Sequence, residues 1–537
     1  MLITLKLLNC IQFIFKKEFI KSQIMSKIDT FLKYINDGYD CKGDYIALGS
    51  AILDGETVPD AQVRVPLKTM NRHGLIAGAT GTGKTKTLQV ISEQLSEKGV
   101  PVLLMDVKGD LSGIAMPGVE KPFITERQAK IRLPWSSKGF PAELMSLSQQ
   151  EGVRLRATVS EFGPVLLSRI LDLNDTQEGV LAVIFKYCDD NKLALLDLKD
   201  LKSVIQYVTD EGKLEIEKDY GKISTATTGI ITRKILELEQ QGAELFFGEL
   251  SFDIKDLMRV DKNGNGYISI IRLTDIQDKP KLFSTFMLSL LGEIYHTMPE
   301  KGDVLKPELV IFIDEAHLIF NQASQALLDQ IENIVKLIRS KGVGIFFVTQ
   351  NPTDVPNGVL SQLGLKVQHA LRAFTAVDRK AIKLTAENYP LSDYYKTDEA
   401  ITALGIGEAL VTALNEKGIP TPLAVTMLRA PVSRMDILTE TEISSINNSS
   451  VLVRKYGQVI DRESAYEILA RKVTDIERTR ADEAARKEQE KMDERDRYPS
   501  RPSYGTRTKS PQDQMVKVLT SATFIRGVFG ILSKVLK

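Results

Sequence analysis

Short unbroken apolar runs recur along this chain, and most are followed by stretches in which apolar positions return every three or four residues. The first rhythm is that of a strand covered on both faces and the second that of an amphipathic helix, so the alternation predicts an α/β fold with a mostly parallel sheet. Gly74-Leu-Ile-Ala-Gly78 reads as a buried strand entering a Gly-rich turn, Thr85 to Lys98 as a helix with Leu88, Ile91 and Leu95 inward, and Val100 to Met105 as the next strand. Further strands are predicted at Gly266 to Ile271, Leu309 to Asp314, Gly344 to Gln350 and Val367 to Leu371. Between Pro141 and Leu250 the helical rhythm dominates, as at Leu166, Ile170, Leu181, Ile184 and Phe185.

These patterns divide the chain into segments. Residues 1–24 carry an apolar run from Leu7 to Phe15, too short to span a bilayer as a helix, and read as a non-native or frayed leader before Met25. Residues 25–66 hold a helix and short strands, 67–140 the first half of a nucleotide-binding core, 141–250 a helical insertion and 251–431 the second half of the core. Residues 432–498 become densely charged and predict a solvated helical region; 499–537 read as a Ser/Pro linker followed by an amphipathic helix from Met515 to Leu536, suited to packing or subunit docking.

Composition narrows the classes. With 43% hydrophobic and 26% charged residues in 537, the chain is neither wholesale disordered nor a multi-span membrane protein. A formal net charge of +0 gives no global basic field for nucleic acid, although a small basic patch would be averaged away in that sum. Cys10, Cys41 and Cys188 lack metal-ligand spacing and fit a reducing, cytoplasmic compartment.

The chemistry is concentrated in two places. Gly78-Ala79-Thr80-Gly81-Thr82-Gly83-Lys84-Thr85 satisfies the P-loop pattern between a strand and a helix, with Lys86 next along. Its glycines let backbone N–H groups converge at a helix N-terminus, a field suited to phosphate, with Lys84 on the terminal phosphates and Thr85 on Mg2+. Asp314-Glu315 ends an apolar strand at the end where α/β sheets bind ligands. Asp314 is expected to hold Mg2+ and Glu315 to polarise water. Gln350, ending a later strand, is a candidate sensor of the γ-phosphate. Arg372 and Arg339 are candidates for an arginine completing a neighbouring subunit's site, with Arg372 first.

Other motifs read as structural. Asp106-Val-Lys-Gly109 resembles a GTPase motif, yet no guanine-reading Asn-Lys-x-Asp is found, which favours ATP. Asp261 to Gly266 begins like an EF-hand loop, but the twelfth position is Arg272 and a strand follows, so a Gly/Asn turn is expected. His317 lacks a second ligand at metal spacing and reads as a local hydrogen-bonding residue.

Gly74 to Thr85, Asp106-Val-Lys-Gly-Asp-Leu-Ser-Gly, Ser168 to Gln177, Phe246-Phe-Gly-Glu249, Ile313-Asp-Glu-Ala-His317, Val348-Thr-Gln-Asn-Pro352 and Gly405-Ile-Gly-Glu-Ala-Leu together resemble the HerA-like, FtsK-related P-loop ATPases, specifically the bacterial YjgR-type branch. The resemblance implies a RecA-like core with a helical insertion, a hexameric ring, the roles just given for Lys84, Thr85, Asp314, Glu315 and Gln350, and Arg372 as the inter-subunit arginine in an Arg372…Asp378 pair. It also implies DNA translocation or helicase work. The contrasting expectation is an ATP-dependent assembly or regulatory module acting on a protein partner.

Overall fold

The structure is a computed structural model and describes Met25 and residues 27–277, 279–320, 325–458, 460 and 462–497. The expected leader and the Met515–Leu536 helix lie outside the described residues, as does Cys10. Twelve strands form one sheet in the order β2-β1-β12-β11-β10-β3-β9-β8-β4-β7-β5-β6. Their ranges are β1 Tyr45–Leu53, β2 Glu56–Pro66, β3 Gly74–Ala77, β4 Val102–Asp106, β5 Ala142–Ser146, β6 Val153–Arg154, β7 Ile268–Arg272, β8 Leu309–Ile313, β9 Val343–Thr349, β10 Leu365–Gln368, β11 Glu408–Thr412 and β12 Ala424–Leu428. Every pairing from β10 through β6 is parallel, whereas β10-β11, β11-β12, β12-β1 and β1-β2 are antiparallel. The predicted α/β class with a mostly parallel sheet is therefore the observed one.

The parallel half is built by residues that tolerate burial on both faces. All residues of β3, β4, β8 and β9 are buried, and Phe312 of β8 meets Phe346 of β9 with ring centroids 5.0 Å apart. The neighbour on β3 is Gly74, where an added Cβ would lie 2.4 Å from the Phe346 ring, so glycine there admits the aromatic layer. Overpacking this contact by a methyl costs about 1–3 kcal/mol. Leu88, Ile91 and Leu95 of the helix Lys84–Glu97 bury against the sheet as the spacing predicted. At the antiparallel end, Asp54 and Gly55 (φ 51° and 85°) form the tight turn between β1 and β2, the conformation that an Asp-Gly pair favours.

Two expectations shift. The helical stretch begins at Val159, later than Pro141, because Ala142–Ser146 and Val153–Arg154 add strands to the sheet edge beside β7. Both are short, five and two residues, so a short strand and one helical turn look alike in sequence. The strand expected at Val367 to Leu371 is instead Leu365–Gln368, which leaves Arg372 in the following loop. From Val159 to Gln240 the chain is otherwise helical, with capping boxes at Thr158/Glu161, Asn174/Gln177 and Asp197/Asp200. Gly163 at φ 66° followed by Pro164 kinks the first of these helices.

A second compact unit begins at Arg471. Its described residues continue the helix Ala465–Arg497, and residues 477–493 are all exposed, matching the solvated helix that the charge pattern predicted.

Candidate active site at the strand ends

β3 delivers the P-loop between β9 and β10, its two parallel neighbours. Gly78 stands at φ 152°, and a Cβ there would lie 2.5 Å from that of His369; Gly83, the residue before the helix, stands at φ 112°. Both positions therefore demand glycine. The loop is tied down at its rim: Ala79 N–H donates to Ala370 O at 2.9 Å, Thr82 Oγ1 to Ala79 O at 2.7 Å, and Gly407 N–H to Thr82 O at 3.0 Å. The helix Lys84–Glu97 has no side-chain cap, so its first-turn N–H groups open onto the loop, the arrangement that receives phosphate. Thr80 and Gly81 are exposed at the crest, and Thr85 is half-buried on the first helical turn.

Lys84 is buried and its Nζ donates to the carbonyls of Gly78 (2.7 Å) and Ala79 (3.1 Å). Burial lowers its pKa, and the charge of Lys108 lowers it further. Lys86 turns elsewhere: its Nζ donates to Met435 O at 2.7 Å and to Gln89 Oε1 at 3.3 Å.

Asp314 and Glu315 follow β8 and are each 5% exposed. Asp314 Oδ2 is buried with no hydrogen-bond partner, an uncommon state for a carboxylate. Burial, followed by the adjacent Glu315 charge, pushes Asp314 up to about 7. Glu315 takes φ +48°, a backbone conformation that costs a non-glycine residue on the order of 1 kcal/mol or more and tends to occur at functional sites. Burial opposes ionisation of Glu315, but Lys108 overcomes it and holds the carboxyl below its ordinary value. Lys108 Nζ pairs with Glu315 Oε1, His317 Nδ1 lies 3.2 Å from Oε2, and the Gln350 amide approaches the same carboxylate. His317 is thus the local partner that its sequence context suggested.

The fold accordingly gathers Lys84, Asp314, Glu315 and Gln350. Arg372 is exposed in the loop after β10, and the Asp378 carboxylate accepts from the N–H groups of Phe374 (2.9 Å) and Thr375 (2.7 Å) as part of a helix cap. Arg339 lies in a single turn of 3-10 helix, Arg339–Lys341. The Asp261 turn closes on itself: Oδ1 accepts from Asn263 and Asn265 N–H, both at 2.8 Å, consistent with the Gly/Asn turn.

Two residues were missed by sequence reasoning. Lys108 lies in the GTPase-like Asp106-Val-Lys-Gly109 and in the longer segment that carries the family resemblance, but neither gave it a role. His369 is fully buried, holds Thr87 Oγ1 at 2.9 Å, and is pushed down to about 4 by burial and then by Lys84, so it backs the P-loop as a neutral ring. No sequence signal marked it.

The donor set fits magnesium and a nucleotide triphosphate. A hard cation takes oxygen ligands such as the unpartnered Asp314 Oδ2 and the Thr85 hydroxyl, and the uncapped loop offers N–H groups to phosphate. An uncapped P-loop beside an acidic strand end, on a mostly parallel sheet, defines the chain as a P-loop ATPase. More particularly, it belongs to the helicase HerA-like C-terminal family, matched over residues 52–536.

The chain is 22% identical over 380 residues to a DNA double-strand break repair helicase HerA of Sulfolobus acidocaldarius, covering 70% of this chain and 69% of that protein. To the protein of the same name from Sulfurisphaera tokodaii it is 24% identical over 367 residues, covering 66% and 64%. It therefore spans about two thirds of these relatives' length. A solved bacterial conjugative coupling protein, TrwBdeltaN70, superposes at a TM-score of 0.48 with 15% identity over 76% of this chain and 94% of that one.

Proposed function

We propose that this chain is a cytoplasmic motor ATPase that assembles as a ring, of hexameric form, and couples ATP hydrolysis to movement along DNA. The observation that carries the reading is the buried Asp314 carboxylate, whose Oδ2 has no hydrogen-bond partner, beside Glu315 and close enough to the P-loop lysine for their charges to interact. In this reading the P-loop N–H groups from Gly78 to Thr85 and the Lys84 ammonium hold the phosphates, while Thr85 and Asp314 hold Mg2+. Magnesium bound there would neutralise phosphate charge. Glu315 accepts the proton of the attacking water, Gln350 senses the γ-phosphate, and Arg372 of a neighbouring copy meets the transition-state charge. The HerA relatives are named as DNA break repair helicases, which supports DNA as the polymer.

The formal net charge of +0 favours a second reading, an assembly or regulatory ATPase acting on a protein partner. Steady-state ATPase assays with single- and double-stranded DNA at several salt concentrations separate the two, with Glu315→Gln as control. The motor reading expects salt-sensitive stimulation by DNA. Turnover indifferent to DNA at every salt concentration rejects it in favour of the partner-directed module.

A further inference from the structure

The loop after β4 places a second lysine in the site. β4 and β8 are parallel neighbours in the register Met105↔Ile313, so the chain leaves both strands at the same, carboxyl end of the sheet. Asp106, buried at the end of β4, accepts from the N–H groups of Gly109 (2.7 Å), Asp110 (3.2 Å) and Leu111 (3.1 Å). Gly109 at φ +78° completes the turn, and Gln277 Nε2 donates to Val107 O at 2.5 Å. Lys108 is thus carried on a turn pinned from both sides, with its ammonium against Glu315 Oε1. Its side chain remains 38% exposed and that of Glu315 only 6%, so the lysine reaches inward from the solvent edge.

Glu315 needs such a partner. Its backbone is at φ +48°, and its carboxylate is also approached by His317 Nδ1, 3.2 Å from the opposite oxygen, and by the Gln350 amide. A general base must lie within hydrogen-bond reach of its water, and Lys108 is the ion-pair partner on Oε1, opposite the oxygen that His317 approaches.

We propose that Lys108 is a positioning residue for Glu315: by holding Oε1 from the β4 turn, it sets where the carboxylate lies and directs Oε2 toward the attacking water. This rests on the ATPase reading above. Lys84 is directed elsewhere, its ammonium donating to the carbonyls of Gly78 and Ala79.

The test uses the full chain with Lys108→Ala, Lys108→Arg and Glu315→Gln. Misplacing a catalytic group by about 1 Å costs on the order of 100-fold. Lys108→Ala is therefore expected to lower kcat by about that factor while the Kd for a fluorescent ATP analogue stays within about threefold, and Lys108→Arg to recover most of the loss. Adding Lys108→Ala to Glu315→Gln should lower kcat no further. Unchanged kcat in Lys108→Ala overturns the proposal, as does a parallel loss of kcat and nucleotide affinity, which would make Lys108 a phosphate ligand. Thermal unfolding of the same variants without nucleotide supplies a readout independent of turnover. Non-additive shifts in Tm support the pair and additive shifts overturn it, even if wild-type turnover equals that of Glu315→Gln and the ATPase reading itself fails.

Discussion

The helical stretch from Val159 to Gln240 and the strand ends around the P-loop use acidic residues in opposite ways. In the helices, Glu161 accepts from Thr158 N–H and Ser251 Oγ, and Asp200 accepts from the N–H groups of Leu196, Asp197 and Tyr466. Each is hydrogen-bonded into a cap or a connection. At the strand ends, Asp314 Oδ2 has no partner and Glu315 is held by side-chain charges at a left-handed backbone. Carboxylates that stabilise the fold are already satisfied by N–H groups, whereas the candidate catalytic carboxylates keep capacity for a ligand, and the folded chain tolerates their burial.

This contrast can be broken at several points. The largest effect is expected for Lys84→Ala, which should reduce turnover by on the order of 1000-fold while leaving Tm without nucleotide near wild type; ATPase assays and thermal unfolding measured together would show it. An equally large fall in Tm would mean that Lys84 is structural. Next comes Asp200→Ala, which strips an acceptor from three N–H groups and should cost about 1–3 kcal/mol, read as a lowered urea midpoint with kcat of the folded protein unchanged.

The pH dependence of stability sharpens the comparison further. Asp314 has a folded-state pKa raised from 3.8 to about 7, so between those values the folded chain binds more protons than the unfolded one. Its contribution to stability is therefore greatest at low pH and is lost as pH rises through that window. Without nucleotide or Mg2+, Asp314→Asn should be more stable than wild type at pH 8, and the gap should close toward pH 4; a gap constant with pH would contradict the assignment. The smallest effect is expected for Lys186→Ala, which removes an exposed i,i+4 pair with Asp190 at 2.6 Å and should leave both Tm and turnover unchanged. A clear Tm loss there would show that the helical surface is more tightly coupled than its exposure suggests.

Periodicity and motif spacing alone determined much of this protein: the α/β class, the P-loop between strand and helix, the acidic pair ending a buried strand, and the exposed charged helix beyond Lys472. These are local properties, since a P-loop is specified by consecutive residues and a doubly covered strand by an unbroken apolar run. The strands Ala142–Ser146 and Val153–Arg154 were not legible, because they owe their place to pairing, the first with β7 and the second with the first, rather than to their own composition. Nor were the long-range partners of the candidate catalytic groups. Lys108 and Glu315 are far apart in the chain and meet only because β4 and β8 are parallel neighbours in one register; His369 reaches the P-loop only because β10 lies beside β3. Strand order and register are set by packing summed over the whole sheet, so the tertiary structure alone could decide which charges share the site.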